Sequence, residues 1–217
     1  MKSQIIHTIL QSALIDNYLE AHSIKRIEKF LKEYQKLIRR YKNCILGGRA
    51  ESTAEIHETL ILRDSFFIGN NVKIGRNVRI SGNVYIGDNC IVNDDCFLRD
   101  GTILAEDIKL GRGAEIKSSI ILDKSQIGPL SFIGDSIIGS NCFLGALVRT
   151  SNFRLDGKSI QIQMGSDHIN CGTQFGCLVG DKVSIGLQSS IMPGRAIEMG
   201  STLIPGSIYY KKKSDSC

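Results

Sequence analysis

Arg99 and Lys117 are two cations 18 residues apart in a chain of 217. If the fold stacks positions at that spacing, the two charges share one corner and repel unless an anion lies between or before them. A phosphate suits such a corner, because two cations offer it several charge-assisted hydrogen bonds. Asp100 and Glu115 stand nearby in sequence and supply the plainer alternative, surface pairing. Asn152, Arg154, Lys158 and His168 fall together further along, and His168 is the one histidine there that could move a proton. A solvated surface histidine is the plainer reading of it.

What must position these groups is a repeat of six. Apolar residues recur at Ile56, Leu62, Ile68, Ile74, Ile80, Ile86, Val92, Leu98, Leu104, Leu110, Ile116 and Leu122, and again at Val179, Ile185, Ile191, Ile197 and Leu203. That period fits neither a helix nor a half-exposed strand and marks a repeat architecture. Three hexads make a triangular coil whose sides are short strands, each with one inward apolar residue. Gly69, Gly75, Gly87 and Gly111 follow such residues, where the backbone turns a crowded corner. A β-sandwich would space its turns irregularly, at roughly 8–12 residues. The expected fold is all-β, a parallel β-helix of hexapeptide repeats. A coil takes 18 residues, so Arg99 and Lys117 stack about one strand spacing apart, ~4.8 Å, in the corner position that glycine takes elsewhere. Five-residue steps are expected from Leu122 to Ile127 and from Ile133 to Ile138. After Leu144-Gly145 the repeat stops, so residues of about 146–177 leave the coil as a long loop, and such loops are usually functional.

Residues 1–46 read differently. Ile6, Ile9, Leu10, Ala13 and Leu14 share a helical face, and Ile27, Phe30, Tyr34, Leu37 and Tyr41 follow steps of three and four. Residues 1–44 carry nine Lys/Arg against four Asp/Glu, the whole net charge of +5. A helical hairpin that covers the open first coil or assists assembly is the structural reading; a membrane-surface or partner-docking helix is the functional one. Gly47-Gly48 marks the boundary to a β-helix over 47–208, and 209–217 form a basic tail. No basic module with interleaved aromatics suggests nucleic-acid binding. No apolar run reaches membrane-spanning length, so no membrane insertion is expected. The seven cysteines form no CxxC pair. A reduced, cytoplasmic protein without a metal site is the expectation.

The segments FLRDGT, EIKSSIILD, LSFIGDSIIG, TSNFRLDGKSI and SIMPGRAIEMGSTLIPG, over about residues 50–208, resemble the C-terminal left-handed β-helix of sugar-1-phosphate nucleotidyltransferases. The resemblance is to the glucosamine-1-phosphate N-acetyltransferase domain of bifunctional N-acetylglucosamine-1-phosphate uridyltransferases. It implies a left-handed coil and a homotrimer with sites between subunits. The implied substrates are acetyl-CoA and an amino-sugar phosphate, in UDP-N-acetylglucosamine supply for the cell envelope. By position, Arg99 and Lys117 fall on the phosphate-binding cations, and Asn152 and Lys158 on loop residues that meet the sugar. Gly145 and Ala146 fall where the backbone meets the acetyl thioester. The nucleotidyltransferase domain that precedes this β-helix in the family has no counterpart in the first 50 residues, so uridyl transfer is not expected, and a separate nucleotidyltransferase is a conceivable partner.

The chain departs from the family where the reaction needs a base. The family's H-x-x-Y-(I/V)-G-D is here Pro129-Leu130-Ser131-Phe132-Ile133-Gly134-Asp135, and Phe143 replaces an asparagine. Proline accepts no proton, and a positioned base is worth about 10²–10⁴ in rate. Three readings follow: a stand-alone N-acyltransferase with an altered substrate or mechanism, a catalytically degenerate protein that binds a sugar phosphate or sugar nucleotide, and a structural trimer scaffold.

Overall fold

Residues 48–63, 65–164 and 167–210 are described by the computed structural model. The helical segment expected over 1–46, and the tail beyond Tyr210, lie outside the described residues. The described chain is a left-handed parallel β-helix with three eight-stranded sheets, one per face. The first face runs from Arg49–Ala50 to Arg195–Ile197, the second from Glu55–Ile56 to Thr202–Leu203, and the third from Ile61–Arg63 to Ile208–Tyr209. Each strand pairs with its equivalent one coil away, as in Ile74↔Val92 and Ile80↔Leu98.

From Ile68 on, the expected inward row is the core; Ile56 and Leu62, in the first coil, are exposed. Ile68, Ile74, Ile80, Ile86, Val92, Leu98, Leu104, Leu110 and Ile116 are all buried in one cluster. Between them small residues line the corners from inside: Cys90 Sγ donates to Ala105 O at 3.1 Å, and Ser125 Oγ donates to Gly139 O at 2.7 Å. At the outer corners the backbones of successive coils nearly touch. A Cβ on Gly128 would lie 2.4 Å from the carbonyl carbon of Gly145 and 2.5 Å from the nitrogen of Ala146. Turn residues that must adopt positive φ are mostly Asn, Asp and Gly, which tolerate it. Leu130 and Leu147 are bulky exceptions at φ 55° and 62°.

Two expectations of register need correction. Ile121, not Leu122, faces the axis, since it pairs with Leu104 and belongs to the core cluster. Leu122 takes the outer corner position held by Gly139 one coil on. The first five-residue step is therefore Ile116 to Ile121; the second, Ile133 to Ile138, stands. Both fall at the corner between the third and first faces. There Ser118 and Asp135 each turn the chain alone, at φ 45° and 48°, where earlier coils use Gly82-Asn83 and Asp100-Gly101. The tightened corner needs extra hydrogen-bonding groups. Buried Ser119 Oγ donates to Lys117 O at 2.8 Å and accepts from Ser136 N at 3.0 Å, and Ser136 Oγ accepts from Cys177 N at 3.1 Å. Hydroxyls thus occupy main-chain groups that would otherwise be buried without partners.

The excursion also starts later than the apolar row suggests. Arg149–Thr150 stays in the third sheet, paired with Ser190–Ile191, because the inward position there is filled by a buried threonine. Residues 151–176 form the loop, and it contains an antiparallel pair, Gln161–Met164 with Asp167–Asn170.

Burial pushes the Cys90 and Cys177 thiols up to about 12, and Cys96 and Cys142 up to about 11. At pH 8 alkylation of these four in the native protein should run at least about 100-fold slower than in denaturant, because the thiolate is the reacting form. Comparable native and denatured rates, read by mass spectrometry, would contradict this packing. Gly128→Ala should lower stability by about 1–3 kcal/mol in denaturant unfolding, and an unchanged midpoint would mean that the coils are not in such close contact.

Candidate functional site

The corner between the third and first faces gathers the chemistry. Ser81 pairs with Arg99 across one coil step, and Leu98 pairs with Ile116 across the next, so Arg99 and Lys117 are neighbours in one corner column. The structure answers each cation with a carboxylate. Arg99 Nη1 lies 2.8 Å from Glu115 Oε1, the plainer pairing anticipated from the sequence. Lys117 Nζ lies 2.8 Å from Asp135 Oδ2, and Asn152 Nδ2 donates to the same oxygen. Lys117 and Asp135 are the less solvated pair, with side chains 22% and 16% exposed against 41% and 35% for Arg99 and Glu115.

Asp135 has a second task. Its backbone carbonyl accepts from Gly176 N at 2.8 Å, and Asn152 O accepts from Phe175 N at 3.0 Å. The excursion is thus pinned at its base to the residue that holds Lys117. Sequence reasoning missed this role. The signal was present, because the shortened corner places Gly134 over Lys117 and brings Asp135 beside it.

Aromatic rings flank the cations on the third face. The Arg79 and Arg99 guanidinium carbons lie 4.6 and 5.7 Å from the Phe97 ring centroid, within range of a cation–π attraction. Ser65, Ser81, Gly82, Asn83, Phe97, Arg99 and Asp100 line an open depression of about 660 Å³ next to this corner. Phe132, half-buried, lies against Gly134, where a Cβ would meet its ring at 2.8 Å.

Other expected site residues are elsewhere. Pro129 is exposed at the corner between the second and third faces, over Gly111, whose Cβ would lie 2.5 Å from its nitrogen. Pro129 and the cation corner occupy opposite edges of the third face, with the strand Phe132–Gly134 between them. Gly145 and Ala146 share the Pro129 edge: Gly145 N donates to Ile185 O at 2.8 Å, and Ala146 O accepts from Gln188 N at 2.8 Å. Lys158 is exposed on the loop, with its N–H donating to Asp156 Oδ1 at 3.2 Å. His168 is exposed and pairs in register with Gln163. Among the described residues, neither Lys158 nor His168 joins the contacts around Asp135.

Residues 80–173 match the family described as the GMPPB C-terminal domain. The chain is 40% identical over 106 residues to the bifunctional protein GlmU of Methanococcus vannielii, a match over 49% of this chain and 25% of that protein. It is 38% identical over 105 residues to the putative uncharacterized acetyltransferase YaiX of Escherichia coli, over 48% of this chain and 46% of the relative. The chain therefore spans a quarter to a half of the length of these relatives. Among solved structures, a GDP-perosamine N-acetyltransferase variant from Caulobacter crescentus, in complex with CoA and GDP-perosamine, is similar at 19% identity and a TM-score of 0.46, over 64% of this chain and 63% of that one. The resemblance read from the sequence is borne out by these relatives.

A double-mutant cycle of Lys117→Met and Asp135→Asn should give a coupling of about 1 kcal/mol or more. The same cycle on Arg99 and Glu115 should give less, at the level of an exposed ion pair, below about 1 kcal/mol. Equal couplings in denaturant unfolding would mean that Asp135 does not hold Lys117 more firmly than Glu115 holds Arg99.

Proposed function

We propose that this chain transfers an acetyl group from acetyl-CoA to the amine of an amino-sugar 1-phosphate. The observation that carries the reading is the corner where Arg99 and Lys117 sit side by side, each on a carboxylate that a phosphate dianion can displace. The family resemblance and the acetyltransferase name of the E. coli relative support it. Asn152, beside Lys117, would hydrogen-bond the sugar. Lys158, on the loop pinned to Asp135, would close over it.

In the reaction the amine lone pair attacks the thioester carbonyl carbon, the carbon–sulfur bond breaks, and the thiolate leaves with CoA. The amine proton passes to water or to the departing sulfur. Gly145 and Ala146 would meet the thioester at the edge where Pro129 stands. That edge lies across the third face from the cations of the same chain, so the reading completes each site from two copies, in a homotrimer. With proline at the base position, the chain contributes position and orientation, which alone are worth many powers of ten. Only the unprotonated amine reacts, so kcat/KM should rise tenfold per pH unit below the amine's own pKa and then level off. His168→Ala should leave this profile unchanged.

A second reading is favoured by Pro129, Phe132 and Phe143, apolar residues where the family resembled carries polar ones: a protein that binds a sugar phosphate without turning it over. Thiol release from acetyl-CoA with glucosamine 1-phosphate separates the two. Turnover that falls about 10–100-fold in kcat/KM in Lys117→Met, the worth of a charge-assisted hydrogen bond, supports transfer. Absence of turnover with thermal stabilisation by the sugar phosphate, lost in the same variant, overturns transfer in favour of binding.

A further inference from the structure

The cation corner is longer than a sugar phosphate needs. Arg63 pairs with Ser81 and Ser81 with Arg99, so Arg63, Ser81, Arg99 and Lys117 follow one another down a single corner column. Asp135 and Asn152 adjoin Lys117 on one side, one coil on. The depression of about 660 Å³ opens on the other side, beyond Arg99. A phosphate held between Arg99 and Lys117 therefore has two neighbours. One is the base of the excursion, where the proposed sugar sits. The other is the depression, which an amino-sugar 1-phosphate does not reach.

Its lining has the chemistry of a small-ligand pocket, a ring with a few polar groups converging beside it. Gly82, at φ 89°, puts no side chain there, since a Cβ would lie 2.4 Å from Asp100 Cβ. Half-buried Phe97 supplies the ring, with the Arg79 guanidinium carbon 4.6 Å from its centroid. A flat heterocycle stacks on such a ring or on the guanidinium plane of Arg99 beside it. Asn83 is fixed in place, because its backbone N–H and its Nδ2 both donate to Asp100 Oδ1 at 2.9 Å. With Nδ2 engaged in this way, its Oδ1 serves as an acceptor for a ring N–H. Ser65 and Ser81 add hydroxyls. A hydrocarbon substituent would strand these polar groups; a nucleoside offers each of them a partner.

We propose that the acceptor's phosphate carries a nucleotide, so that this corner recognises a nucleoside diphosphate amino sugar. The second phosphate lies between Ser81 and Arg99, and the base lies against Phe97 in the depression. The proposal rests on the reading that the anomeric phosphate docks at Arg99 and Lys117, and it adds what that phosphate bears. Spacing supports it. Cations one coil apart, ~4.8 Å, can each meet a different phosphate of a diphosphate, and two coil steps from Lys117 to Ser81 cover about 10 Å. Charge supports it as well, since Arg63, Arg99 and Lys117 share the column.

Calorimetric titration of the full chain tests this, with UDP, GDP, inorganic pyrophosphate and glucosamine 1-phosphate as separate probes. At least one of UDP and GDP should bind about 10–100-fold tighter than pyrophosphate, the worth of a stacked base. Phe97→Leu should abolish that advantage and Phe97→Tyr should keep it, with pyrophosphate and glucosamine 1-phosphate binding unchanged in both. Ser81→Glu, a second variant that sets a carboxylate at the second phosphate, should weaken the nucleotide by about tenfold or more and spare glucosamine 1-phosphate. Nucleotides no tighter than pyrophosphate, or an advantage that survives both Phe97→Leu and Ser81→Glu, would overturn the proposal. Glucosamine 1-phosphate that fails to bind, or binds equally in Lys117→Met, would sink the sugar-phosphate reading, and the nucleotide titrations would still decide this one.

Discussion

Coil stacking is the constraint on which the molecule depends. Parallel hydrogen bonds between equivalent strands hold successive coils about 4.8 Å apart, and at the outer corners there is no space to vary that distance, as the Gly128–Gly145 contact shows. Each face of a coil turns inward a strand residue and the residue two before it, such as Leu110 and Ile108, so no side chain can shift along the stack without moving a neighbour into an apolar interior. Columns of side chains follow directly. A residue's neighbours are those one coil before and one coil after, and the chemistry of a corner is set by a short column of positions.

That constraint explains how the polar corner is built. Where the chain shortens its turn to one residue, at Ser118 and Asp135, the buried hydroxyls of Ser119 and Ser136 take up main-chain hydrogen bonds. The same shortening brings the Asp135 carboxylate beside Lys117 and the Asn152 amide. A cation held this way is oriented before any ligand arrives, and exchanging one anion for another demands little rearrangement. The opposite edge of the face has been built from Pro129, Leu130 and Ala146, which offer no group to carry a proton. Recognition of phosphate and activation of an amine are thus unequally provided for, and the proposed reaction leaves deprotonation to the substrate.

Much of this was legible in the sequence because stacking is arithmetic. The inward row through Ile116, the parallel β-helix and the adjacency of Arg99 and Lys117 all followed from a period of six. Legibility failed where the period changes. Leu122 is as apolar as Ile121, and hydrophobicity alone cannot say which of two adjacent residues faces inward when the outer one is buried as well. Thr150 kept one more side of the coil in register than an apolar pattern could reveal. Asp135 is not legible as a partner for Lys117, because its position depends on the shortened corner. Lys158 and His168 share a loop with Asn152, but among the described residues it is the loop's base that is tied to the corner.

The most direct measurement is a crystal structure of the protein with glucosamine 1-phosphate bound. The account predicts the phosphate within hydrogen-bonding distance of Lys117 Nζ and the Arg99 guanidinium, with Asp135 or Glu115 displaced from its cation. A phosphate bound elsewhere, with both carboxylate pairs intact, would contradict it.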